Sequence, residues 1–208
     1  MEHTGKKWRL KEFAFPFLFG ITLPQLSSVV ATHSNFKYKL PIWYILAILF
    51  LIETGKYCID KGYISIISAK KISVGITWGI LGLGFCLAFM FIVNKTGVDK
   101  NSISGGRLDF FKDMNVTFPI VCLFGPIWEE VIFRGIIGNR IFDNPRLGII
   151  ISSILFALFH GVMSVYMLLF YFVMGVIFSL ANQNEDDITS SIIAHIFYNT
   201  GIAIISLM

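Results

Sequence analysis

Charged side chains are scarce. Asp, Glu, Lys and Arg make up 14% of the 208 residues, where an ordinary soluble domain carries about 25%. With 17 Lys and Arg against 13 Asp and Glu, a globule of this size would leave large apolar patches in water. That shortage excludes a soluble globular protein, a disordered chain and a nucleic-acid binder. Cysteine is also sparse. Cys58, Cys86 and Cys122 show no C-x-x-C spacing, so they predict small packing residues rather than a disulfide framework or metal ligands. No internal repeat, heptad or low-complexity tract is present. Three catalytic signatures are missing as well. There is no H-E-x-x-H zinc helix and no G-x-S-x-G or G-x-S-G serine motif. Gly82-Leu83-Gly84 is followed by Phe85, so the G-x-G-D of aspartyl intramembrane proteases is absent.

What is present is apolar: 55% of residues are hydrophobic and the mean hydropathy is +0.73. A spanning helix needs about 20 mostly apolar residues, so the chain predicts an all-α polytopic transmembrane bundle of about seven spans, with six to eight possible. Candidate spans run over 13–31, 40–53, 72–93, 116–137, 147–160, 165–181 and 188–208. The first follows a basic cluster, Lys6, Lys7, Arg9 and Lys11. Pro16 and Pro24 interrupt that run, which reads as a retained span rather than a signal peptide. Gly75 and Gly79 form G-x-x-x-G in the third span, a close-packing face. The formal charge of +4 is explained by loop Lys and Arg. Their bias, ten on the side of the N-terminus against six opposite, predicts a multi-pass cell-membrane protein with a cytoplasmic N-terminus. The chain reads as one integral membrane domain, with helices and loops over 1–115 and a core over 116–208.

Ionisable groups inside hydrocarbon are costly and default to functional candidates. His3 lies at the terminus and His33 in a loop, leaving His160 and His195 within spans. Of the acids, only Glu53, Glu129 and Glu130 fall in or at the edge of spans, and Arg134 is the single basic residue well inside one. Glu130 and Arg134 are four apart and can pair on one helix face. Glu129, rotated by about 100°, is then a carboxylate without its own counter-ion and a candidate general base. The blander use of both acids is interhelical packing through Arg134. A lone histidine such as His160 is more often a satisfied core residue than a reactive one. His195 and Asn199 share a face at four-residue spacing and could donate two hydrogen bonds to one oxyanion, or simply bridge helices. Glu129 and His160 each lie about 20–25 Å from the Asp143-Asn144 turn, and His195 some 12–15 Å from the next turn on that side. The three can therefore meet inside the bundle.

The order Glu129-Glu130-x-x-x-Arg134, then Phe156-x-x-x-His160, then His195-x-x-x-Asn199, each on a separate apolar segment, resembles the CPBP family. That family comprises the CAAX prenyl endopeptidases and the bacteriocin-processing or "Abi" intramembrane proteases. The resemblance covers about 118–201. It implies an endopeptidase in which Glu129 activates water with help from His160, His195 and Asn199 hold the oxyanion, and Glu130 with Arg134 form a supporting ion pair. The implied partners are the lipid bilayer and a peptide or protein substrate at the membrane, with leader, signalling or bacteriocin peptides expected for the compact bacterial branch. Glu129, His160 and His195 could ligate zinc, yet a metal-free glutamate mechanism is favoured. Two other classes remain open at this point: a non-proteolytic bacteriocin self-immunity or scaffold protein, and a small transporter with a proton relay. The latter lacks the expected repeats or broken helices.

Overall fold

The computed structural model describes residues 39–96, 118–161, 164–182 and 187–207. Helices account for nearly all of them, and no strand occurs among the described residues. The expected span at 13–31, the N-terminal basic cluster and most of the 94–115 loop lie outside the described residues. Helix α1 is Lys39–Asp60 and α2 is Ala69–Thr96. The third helix, α3, is continuous over 120–141 and mixed in pitch. It is π-helical over Ile120–Phe124, α-helical over Gly125–Glu130 and π-helical again over Val131–Ile141. Helices α4 (Pro145–Phe159), α5 (Val165–Leu180) and α6 (Thr189–Leu207) complete the bundle.

Helix α1 continues seven residues past the expected end at Glu53. Glu53 pairs with Lys56 at 2.6 Å on the exposed side of the helix, so polar residues that look like a loop are an outward helical face. Glu53 is thereby removed from the candidate site. The helix stops where Lys61 N–H and Gly62 N–H bond back to Tyr57 and Ile59 carbonyls, with Gly62 at φ 70°. Local chemistry also sets α4. The Asn144 side chain accepts from Arg146 N–H and Leu147 N–H, and Pro145 fills the first helical position.

Helices α1 and α2 are long and apolar enough to cross a membrane. Ile45, Leu46, Ile48, Leu49 and Ile52 on α1 are each half exposed or more. A contiguous apolar face of that kind is stable in lipid rather than in water, and the molecule is an all-helical membrane bundle.

Small residues let the inner helices approach closely. A Cβ added at Gly75 would stand 2.6 Å from Ile193 Cβ, and one at Gly79 would stand 2.8 Å from Phe197 Cδ1. The G-x-x-x-G face of α2 is thus the seat of α6, as its spacing predicts. Gly175 on α5 lies against Ser153 on α4 in the same manner, and Gly148 on α4 lies against the Gly138 carbonyl of α3. These contacts bring α3, α4, α5 and α6 around one interior.

Candidate active site

The wide turns of α3 begin where the chain cannot make an ordinary helix. Pro126 has no N–H to give the turn before it, and Gly125 N–H bonds back five residues to the Ile120 carbonyl. Turns of that kind are rare and cluster at functional sites. Here they flank the two adjacent glutamates.

Glu130 and Arg134 form the ion pair that their spacing predicts. Arg134 Nε is 3.1 Å from Glu130 Oε2, and both side chains are sealed from solvent. The guanidinium is fixed further by donating from Nη2 to the Gly175 carbonyl at 3.0 Å. Its carbon also lies 4.4 Å from the centre of the Phe156 ring. Glu130 also accepts two hydrogen bonds from α6. One comes from the Ser191 hydroxyl to Oε2. The other comes from His195 Nδ1 to Oε1 at 2.8 Å.

Glu129 faces the other way round the helix, towards two imidazoles. Its Oε2 is 3.9 Å from His160 Nε2 and 3.9 Å from His195 Nε2. Neither distance is a hydrogen bond, and this buried oxygen accepts none from the described residues. His160 reaches the site from the last turn of α4. Its Nδ1 donates to the Phe156 carbonyl at 2.8 Å, and its ring stacks on Tyr171 of α5 with centroids 4.0 Å apart. His195 stacks on Phe178 at 4.3 Å.

A carbonyl can only accept, so Nδ1 of His160 carries a proton, and in the neutral form of the ring Nε2 presents a lone pair. The same reasoning applies to His195, whose Nδ1 meets a carboxylate. With both rings neutral, three acceptor atoms converge: Glu129 Oε2 and the two Nε2 atoms. Exposure grades across them. The Glu129 and His160 side chains are 18% and 17% exposed, while His195 is 4% exposed, so the site is open on the α4 side and sealed on the α6 side.

Asn199 lies elsewhere than a free oxyanion donor would. Its amide nitrogen donates to the Val121 carbonyl at 2.7 Å, tying α6 to the first π-helical turn of α3. The contributions of Ser191, Tyr171 and Phe178 were not read from the sequence. Ser191 carries a usable signal, because it precedes His195 by the same four residues that separate His195 from Asn199. The two aromatic partners lie on α5 with no comparable signal.

Zinc at its ordinary bond lengths sets donor atoms about 3.3 Å apart in a tetrahedral site. The 3.9 Å separations here are wider. Among the described residues no group of three or more His, Cys, Asp or Glu side chains is arranged to hold a metal ion. The residues as placed do not fit zinc.

Residues 112–201 match the family model of the type II CAAX prenyl endopeptidase Rce1-like proteins, the stretch that carries every residue just described. Over that stretch the chain is similar to the Rce1-like proteins. Two curated relatives agree. The chain is 27% identical over 150 residues to a Bacillus subtilis protein named "Putative membrane peptidase YdiL", covering 67% of this chain and 61% of that one. It is 26% identical over 150 residues to the membrane-embedded CAAX protease MroQ of Staphylococcus aureus, covering 64% and 59%. The chain therefore spans about three fifths of the length of these curated relatives. No solved structure matches it. The Rce1-like stretch takes in α3 to α6 up to Gly201, while α2, outside it, supplies the glycine face on which α6 rests.

Proposed function

We propose that this protein is an Rce1-like intramembrane endopeptidase that hydrolyses a peptide bond with a water activated by Glu129. The observation that carries the reading is the buried, unpartnered Oε2 of Glu129 facing Nε2 of both His160 and His195. A water at hydrogen-bond distance, about 2.8 Å, from atoms 3.9 Å apart subtends about 90°, so one water can donate to two of the three acceptors. Packing alone would require neither the unpaired second carboxylate nor the two lone pairs aimed at it. The names of the relatives, a membrane peptidase and a membrane-embedded CAAX protease, support the same class.

In this mechanism the water oxygen bonds to the scissile carbonyl carbon while Glu129 takes its proton, and His160 holds the water in line. The carbonyl π electrons move to oxygen. When the tetrahedral intermediate collapses, the C–N bond breaks and the proton held by Glu129 passes to the leaving amine. His195 presents an acceptor at Nε2 in the resting arrangement, so it donates to the oxyanion only once it has taken up a proton. Asn199 joins it only if its amide turns from Val121. Glu130 and Arg134 form the sealed ion pair beneath.

The substrate class that fits is a peptide or membrane-associated protein presented at the open α4 side, with bacterial leader, signalling or bacteriocin peptides as the first candidates. The Lys and Arg bias supports a cytoplasmic face for the N-terminus and, with it, for the α3–α4 and α5–α6 turns. All six site residues lie within 116–208, and helices α1 and α2 belong to the same membrane domain.

The test is cleavage of a membrane-tethered peptide library by the full chain in liposomes, comparing wild type with Glu129→Ala and His160→Ala. Loss of about a thousandfold or more in both variants is expected if a catalytic base and its partner are removed. Full activity in either variant overturns the assigned roles. A host phenotype that survives both substitutions points instead to non-proteolytic immunity or scaffolding.

A further inference from the structure

We infer that Ser191 is a positioning residue of this site, acting through Glu130 to hold His195 as its Nδ1–H tautomer. The inference deepens the peptidase reading and rests on it for the kinetic readout alone. Glu130 is completely buried, and its two oxygens are divided between partners. Oε2 takes the Ser191 hydroxyl and lies 3.1 Å from Arg134 Nε in the ion pair, while Oε1 is left to His195 Nδ1. With the Ser191 hydrogen bond and the Arg134 charge both on Oε2 and the His195 hydrogen bond on Oε1, the carboxylate is held against turning about its last torsion, which is otherwise soft. Helix α6 makes the arrangement possible because Ser191 and His195 stand one turn apart on the same face. Phe178 fixes the plane of the His195 ring from the side.

The competing state is specific. In the Nε2–H tautomer His195 would turn a donor towards Glu129 Oε2, now 3.9 Å away and unpartnered. A hydrogen bond there would occupy the oxygen that must take the proton of the attacking water. Ser191 therefore keeps Glu129 available by making Glu130 the better partner for His195. The serine touches neither the water nor the scissile bond.

The experiment uses the full chain labelled with 15N-histidine in lipid nanodiscs, where Nδ1–H and Nε2–H rings have distinct nitrogen shifts. The His195 signals are identified by their loss in His195→Gln. Wild type is expected to show the Nδ1–H form. Ser191→Ala is expected to raise the Nε2–H population and to lower kcat about tenfold with KM unchanged. Ser191→Thr, which keeps the hydroxyl, restores both, and Ser191→Cys serves if the alanine variant does not fold. A wild-type ring already in the Nε2–H form overturns the inference, as does an unchanged tautomer in Ser191→Ala. A shifted tautomer with wild-type kcat severs the link to catalysis. If the wild type hydrolyses no peptide, the peptidase reading falls while the tautomer measurement still decides the role of Ser191.

Discussion

His160 lies nearly flat against Tyr171, with ring centroids 4.0 Å apart and planes 22° from parallel. The histidine sits at the end of α4, where φ −71° and ψ 0° lead into the Gly161 turn. A residue at a helix end frays unless something holds it. Here the Phe156 carbonyl fixes one ring nitrogen and Tyr171 fixes the plane of the ring. Tyr171→Leu removes the stack while keeping apolar bulk. A stacked pair contributes about 0.5–1.5 kcal/mol, so kcat for peptide cleavage should fall about threefold to tenfold. The melting temperature should stay within a few degrees of wild type. Unchanged kcat would mean that the carbonyl alone positions His160.

Much of the site was legible because ionisable residues are so few in the apolar segments. Glu129, Glu130, Arg134, His160 and His195 stood out by scarcity, and the four-residue spacing of Glu130 and Arg134 foretold their pairing. The division of labour between the two glutamates was less visible. Spacing showed that they face apart, but only packing shows His195 spanning both, at 2.8 Å from Glu130 and 3.9 Å from Glu129. Asn199 matched its motif, yet its amide is engaged by Val121, a carbonyl within the π-helical turn before Pro126. Backbone pitch of that kind leaves no periodic trace. The reach of α1 to Asp60 was hidden for a different reason, since Glu53 and Lys56 look like loop residues until their pairing on a helical face is seen.

Gly75 predicts how strictly α2 must seat α6. A methyl group there would stand 2.6 Å from Ile193 Cβ and 2.9 Å from the Ser190 carbonyl oxygen, and neither a Cβ nor a helix backbone can yield cheaply. Overpacking of this sort costs about 1–3 kcal/mol. Gly75→Ala should therefore lower the melting temperature of the detergent-solubilised protein by several degrees. Gly55→Ala is the matched control, since nothing lies within 4 Å of a Cβ at that position. Equal melting of the two variants would show that α2 and α6 are not in contact.

Asp187, in the turn before α6, predicts a pH dependence. Its carboxylate accepts from Thr189 N–H at 2.9 Å and from Lys71 Nζ of α2 at 2.5 Å. Burial alone would raise this carboxyl. Hydrogen bonds from Lys71, Ser65 and Thr189 outweigh that effect and bring it down to about 2, from an ordinary 3.8. Because the folded value lies below the unfolded one, the contribution is fully present above the ordinary carboxylate range. It is lost as pH falls through the folded value. The melting-temperature gap between wild type and Asp187→Asn should be constant from about pH 7 to pH 5, narrow below about pH 4 and close near pH 2. Lys71→Met should lower stability with the same profile, since it removes the same pair. Lys71 and Gly75 are four apart on α2, so the ion pair and the glycine seat act on one face and hold the first turn of α6, where Ser191 begins the approach to Glu130. A gap that does not change with pH would mean that Asp187 acts only as the cap of α6 through its neutral hydrogen-bonding capacity, and that the seat is held by packing alone.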